Sequence, residues 1–311
     1  MMNITYAVPG RIEKTSDIRP DCWIHLTDPT KEELETITNT LGIESDYLRA
    51  ALDEEETTRI EADGDQMLIL VDIPIVEPQQ NAFLYNTIPL GIILTPNNVV
   101  TVCLEESSIL EDFWNGRVRG FDTSMRARFV LQILYRNAVK YLQYLRQIDK
   151  ASTQVENALH KSMKNRELIQ MLRLEKSLVF FSTSLKSNEV VLEKMMRSRF
   201  IKQESEETEL LEDVIIENKQ AIEMCNIYRD ILSGTMDAFA SVISNNLSIV
   251  MKLLTSITIV LAIPTLVASL WGMNVGDLPF ASATAGFWPV LGIALAGAGI
   301  SALILWKKKM F

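Results

Sequence analysis

Two stretches late in the chain lose their charged residues altogether: 253–276, which contains IVLAIPTLVASLWGM, and 287–306, which reads FWPVLGIALAGAGISALILW. Their 24 and 20 residues each suffice to cross about 30 Å of hydrocarbon as an α-helix. Both are predicted to span a membrane, with a pair of buried helices in a soluble core as the alternative. They lie far from where a signal peptide stands, and the opening MMNITYAVPGRIEK lacks the apolar core of one.

The preceding region divides by its breakers. No proline falls between Pro96 and Pro264 and no glycine between Gly120 and Gly234, which predicts helices near 122–150, 153–185 and 187–200. A last helix opens around Glu206 and meets no evident stop before Gly272; at 1.5 Å per residue it would extend about 100 Å. Earlier, short runs rich in branched residues at 22–26, 66–74, 88–94 and 99–104 predict strands. Between them DPTKEELETITNTLGI predicts a helix opened by Asp28, Pro29 and Thr30, with Glu32 and Glu33 in its first turn. The expected fold class is therefore an α/β cytoplasmic domain followed by long helices and two C-terminal transmembrane helices. The expected divisions are an α/β domain at 1–118, a helical region at 119–204, a stalk helix at 205–273 whose span covers about 250–273, a short extracellular loop at 274–286, a second span at 287–306 and a basic tail at 307–311.

Charge supplies the orientation. Lys252 precedes the first span, Lys307, Lys308 and Lys309 follow the second, and the segment between the spans holds only Asp277. The positive-inside rule then predicts a multi-pass protein of the cell membrane with both termini in the cytoplasm. Setting aside those four lysines and Asp277 leaves 26 basic and 39 acidic residues, a cytoplasmic part about 13 charges negative. Such a surface argues against nucleic acid as a partner. Cys22, Cys103 and Cys225 follow no ligand spacing and read as packing residues, and His25 and His160 as structural. No phosphate-cradling glycine loop, HExxH or nucleophile-elbow motif is present, so an enzyme is not expected.

Within the first span Ser248, Met251, Thr255, Thr258, Ala262, Thr265 and Ser269 recur at steps of three or four. A stripe of small and hydroxylated side chains has two readings: ordinary helix contact in a membrane, or the lining of a pore enclosed by several copies about an axis. The stripe runs out at WGMN, where Gly272, Met273 and Asn274 stand at the membrane surface. Neutral oxygens suit a cation that keeps its water, and Mg2+ dehydrates reluctantly. The Asn274 carbonyl would hold such an ion through its hydration water. Two acidic groups, Glu204, Glu206, Glu207, Glu209, Glu212 with Asp213 and the run at 53–56, are either solvated faces or carboxylates that a divalent ion bridges between subunits.

These blocks, WIHLTDPTKEEL, LDEEETTRIE, LVDIP, LEKSLVFFSTSLKSNEVVLEKM, YRDILSG, SNNLSIVMKLLT and PTLVASLWGMN with the terminal lysines, closely resemble the CorA family of magnesium transport proteins over nearly the whole chain. The resemblance implies a funnel-shaped homopentamer in the lipid bilayer, with Mg2+ both transported and regulatory and Gly272, Met273 and Asn274 at the outer entrance. It places Met251, Thr255 and Thr265 in the pore, Leu254 at a hydrophobic constriction and Asp213 at a regulatory site between subunits. Two departures stand out. Ser248 occupies the place of an inner pore asparagine, and the outer loop reads NVGDLPF instead of a more acidic form. Co2+ and Ni2+ are expected as further transported ions. A zinc-selective or exporting relative of the same architecture, or a membrane-tethered divalent-ion sensor without transport, are the alternatives.

Overall fold

Alternation along the strands builds a sheet covered on both faces. In the computed structural model, which describes residues 1–8, 11–79, 82–162, 165–197, 205–273 and 285–310, the strands are β1 (Met2–Val8), β2 (Arg11–Thr15), β3 (Cys22–Thr27), β4 (Arg59–Asp63), β5 (Gln66–Gln79), β6 (Ala82–Leu94) and β7 (Val99–Cys103). They form one sheet in the order β2-β1-β3-β7-β6-β5-β4. β3 and β7 run parallel and the other neighbours antiparallel. Trp23, Ile69, Ile92 and Val99 point to one face and their successors Ile24, Leu70, Ile93 and Val100 to the other, as the two-residue period of a strand requires.

The face with Ile24 and Val100 is covered by α1 (Lys31–Leu41) and α2 (Ser45–Ala50), through Ile37, Tyr47 and Leu48. α1 opens as expected: Thr30 accepts from the Glu33 amide while the Glu33 carboxylate accepts from the Thr30 amide, a reciprocal cap. The other face carries α3 (Ser108–Trp114), α4 (Arg126–Ser162), α5 (Asn165–Arg197) and the first turns of α6 (Ser205–Trp271), through Phe113, Phe129, Val191 and Leu211.

The core therefore runs across the division expected near 118: Met1–Met236 is one compact unit and Asp237–Phe311 a second. Nor do helices break near 150 and 185. Ser152 and Thr153 bond back to the Asp149 carbonyl inside α4. Asn188, in α5, accepts from the Asp72 amide at 2.9 Å and donates to the Asp72 carbonyl at 2.8 Å, pinning the helix to β5. Residues of capping type are thus spent within and between elements instead of ending them. The last long helix runs as predicted, continuous from Ser205 to Trp271 with Gly234 and Pro264 in its interior. In the second unit it is accompanied by α7 (Phe287–Lys307).

Candidate ion-conduction face

The late part of α6 and all of α7 are long and apolar enough to cross a membrane, and only 6% and 11% of their apolar windows are buried. Helices of a soluble core would be mostly covered, so the alternative of a soluble pair fails. α7 packs on one side of α6. There Ser256 is fully buried and Val260, Ile263, Pro264, Val267 and Trp271 are partly covered. The facing surface of α7 is made of small residues, Ala294, Gly297, Ala298 and Ser301, none of them exposed. A Cβ at Gly297 would stand 2.8 Å from Ile263 Cγ2, so the two backbones approach closely because this position has no side chain. Pro264, which lacks an amide hydrogen, sits on this covered side.

The predicted stripe lies elsewhere. With about 100° between successive residues, Ser248, Met251, Thr255, Thr258, Ala262, Thr265 and Ser269 fall on the side of α6 opposite the α7 contact, and all seven are exposed in the chain. Leu254, 57% exposed, flanks them. The stripe is thus not the surface that holds the two spans together.

Three of its five hydroxyls share one geometry. Ser248 donates to the Ser244 carbonyl, Thr258 to Leu254 and Thr265 to Leu261, each at 2.9 Å. A hydroxyl has a single hydrogen. Once that hydrogen is given to the preceding turn, the oxygen presents only lone pairs outward. A row of such oxygens can accept hydrogen bonds, including those from the outward-pointing hydrogens of a cation's hydration shell.

At the end of the stripe the Gly272 amide still bonds the Ala268 carbonyl at 2.9 Å, and Met273 reaches Leu270 at 3.4 Å. A Cβ at Gly272 would lie 3.2 Å from the Ala268 carbonyl oxygen. Met273 is exposed. Asn274 and the loop containing Asp277 lie outside the described residues, as does Glu204.

Asp213 is exposed on α6 in the first unit. Of its acidic neighbours, Glu206 pairs with Arg128 at 3.0 Å. In the other acidic run Glu56 pairs with Arg59 at 2.7 Å and Asp53 accepts from the Glu55 amide, so that run caps a turn. No group of three or more His, Cys, Asp or Glu side chains is placed to hold a metal among the described residues. The three cysteines are free and buried; burial pushes the Cys103 and Cys225 thiols up to about 12, in keeping with packing roles.

Sequence reasoning did not single out Ser256. Its Oγ donates to the Met310 carbonyl at 3.1 Å, and the small residues of α7 that receive this side of α6 were the available signal.

Comparison with known proteins agrees with this arrangement. The sequence profile described as "CorA-like Mg2+ transporter protein" matches residues 21–309. The cobalt/magnesium transport protein CorA of Methanocaldococcus jannaschii is 29% identical over 280 residues, 87% of this chain and 85% of its own length. The complete structure of the CorA magnesium transporter from that organism matches with a TM-score of 0.84 at 26% identity, covering 98% of this chain and 96% of the other. The ZntB cytoplasmic domain from Vibrio parahaemolyticus, at 12% identity and a TM-score of 0.59 over 78% of this chain and 96% of its own, shares the fold alone.

Proposed function

Because the chain belongs to the CorA-like Mg2+ transporter family, we propose that it conducts hydrated magnesium across the cell membrane as a channel-like homopentamer with both termini in the cytoplasm. The observation that carries this reading is the exposed stripe on α6, turned away from α7, in which the hydroxyl hydrogens of Ser248, Thr258 and Thr265 are already engaged. Five copies about an axis turn Ser248, Thr255, Thr258, Thr265 and Ser269 into collars of acceptor oxygens, with Met251, Leu254 and Ala262 as apolar rings between them. Such collars hold a hydrated ion without stripping it, so binding stays weak enough for release. The membrane potential supplies the drive, about 4.6 kcal/mol for two charges across 100 mV.

Gly272, Met273 and Asn274 form the outer entrance, with the Asn274 amide accepting from the ion's water. Cobalt, and nickel with it, follow the same path because their hydrated ions offer the same outward hydrogens. Intracellular magnesium closes the assembly by bridging Asp213 to a carboxylate of a neighbouring chain. In this reading the protein transports and does not catalyse.

Flux into liposomes tests the proposal. Wild type is expected to take up magnesium down its gradient, and Asn274→Ala that still assembles as five chains to lose most of that flux. Unchanged flux removes Asn274 from the entrance. Zinc uptake in preference to magnesium, or flux in the outward direction only, would assign the path to another ion or direction, and ion-dependent rearrangement without flux would make the protein a sensor.

A further inference from the structure

The hydroxyls of Ser248, Thr258 and Thr265 turn back to the preceding turn of α6, and Ser256 departs from that pattern. Fully buried, it spends its hydrogen on the carbonyl of Met310, 54 residues away in sequence. Met310 reaches it through a specific backbone turn. The Met310 amide bonds the Leu305 carbonyl at 3.1 Å and the Lys309 amide the Trp306 carbonyl at 3.0 Å, while Lys309 adopts φ 55°. This is the paired bonding of a Schellman cap, closed here by a lysine in the left-handed region that glycine usually fills. The cap folds the chain past α7 back onto α6.

We propose that Ser256 and the Lys309 cap form a latch that fixes the rotation of α6 about its own axis and so the direction in which the conduction stripe faces, making Ser256 a positioning residue for ion passage. The proposal rests on the reading of the stripe as pore-lining. Ser256 follows the stripe residue Thr255 directly, on the far side of the helix from the stripe's centre. A 30° turn of α6 carries an atom about 4 Å from the axis through about 2 Å, enough to break a 3.1 Å hydrogen bond. The close approach of Ile263 to Gly297 is a second fixed point along the same side. Together, one directional hydrogen bond and one close-packed contact on the same face oppose rotation of the helix.

The test uses the full-length protein in liposomes and four variants: Ser256→Ala, Lys309→Val, Lys309→Gly and the double variant Ser256→Ala/Lys309→Val. Valine resists positive φ, whereas glycine loses the same charge but keeps the backbone turn. Ser256→Ala and Lys309→Val are each expected to shift the internal magnesium concentration that half-closes the flux by roughly threefold in the same direction, the size of one interhelical hydrogen bond in a membrane. The double variant should shift no further than either single one, and Lys309→Gly should behave as wild type. Additive shifts, a Ser256→Ala profile identical to wild type, or Lys309→Gly matching Lys309→Val would overturn the latch. Amide exchange at Lys309 and Met310 provides a readout independent of transport: Ser256→Ala must accelerate it roughly threefold, and unaltered exchange defeats the proposal. A wild type that carries no magnesium but shows this exchange response defeats the functional reading and leaves the tie standing.

Discussion

His25 is held at both ring nitrogens, Nδ1 against Thr101 Oγ1 at 2.9 Å and Nε2 against Thr27 Oγ1 at 2.8 Å, while Trp23 Nε1 donates to the same Thr101 oxygen at 2.8 Å. Burial lowers its pKa from 6.5 to about 4. Between those values the unfolded chain binds a proton that the folded chain refuses, so stability is full above the unfolded pKa and falls as pH drops toward the folded one. By about pH 5 the loss from this group amounts to about 2 kcal/mol. Thermal unfolding of the full-length protein in detergent at about pH 7.5 and about pH 5 should therefore show a wider gap for wild type than for His25→Gln; equal gaps would mean that His25 does not carry the acid sensitivity.

At the level of elements, legibility followed the strength of the apolar signal. β3 and β7, central and buried, were plain in the sequence, as were the opening of α1 at Thr30 and the continuous course of α6. β2 and β4 were not, because RIEKT and RIEAD are the two sheet edges, where charge discourages pairing with another chain and erases the strand pattern. The hairpin of β5 and β6 extends well past the expected limits at Pro74 and Ile88. β4 accompanies β5 only to Leu70, and β7 accompanies β6 only from Leu90. Pro74, Pro78 and Pro89 therefore stand where one edge has no strand neighbour, so no ladder bond is lost on that side. The stripe on α6 was legible from its period, but its placement away from α7 required the α7 partner. That partnership makes Gly297→Ala informative: the new methyl meets Ile263 Cγ2 at 2.8 Å, and the overpacked pair should lose about 1–3 kcal/mol. Unfolding of the detergent-solubilised variant at wild-type temperature would show that the helices separate without cost.

For the whole molecule, a single chain leaves the stripe uncovered, and among the described residues Asp213 belongs to no group of three or more metal-ligating side chains. In the proposed homopentamer both features would be completed by the same step, association of identical chains. Asp213→Ala is accordingly expected to weaken closure by magnesium while leaving the open conductance intact. Currents recorded at rising internal magnesium check this, together with protection of the unit Met1–Met236 from proteolysis. Equal inhibition and equal protection in variant and wild type would remove Asp213 from regulation.

Gly234 stands inside α6 two residues before the first compact unit ends at Met236, and beyond its chain neighbours and the local helix backbone no atom of the described residues lies within 4 Å of where its Cβ would be. Nothing steric in the chain demands a glycine there, and its weak helical preference lowers the stability of that turn. Alanine would gain about 1 kcal/mol of helical preference without a clash. A stiffer rod transmits a displacement that a pliable one dissipates as bending, so Gly234→Ala should make flux respond more steeply to internal magnesium, a change read from the slope of the inhibition curve.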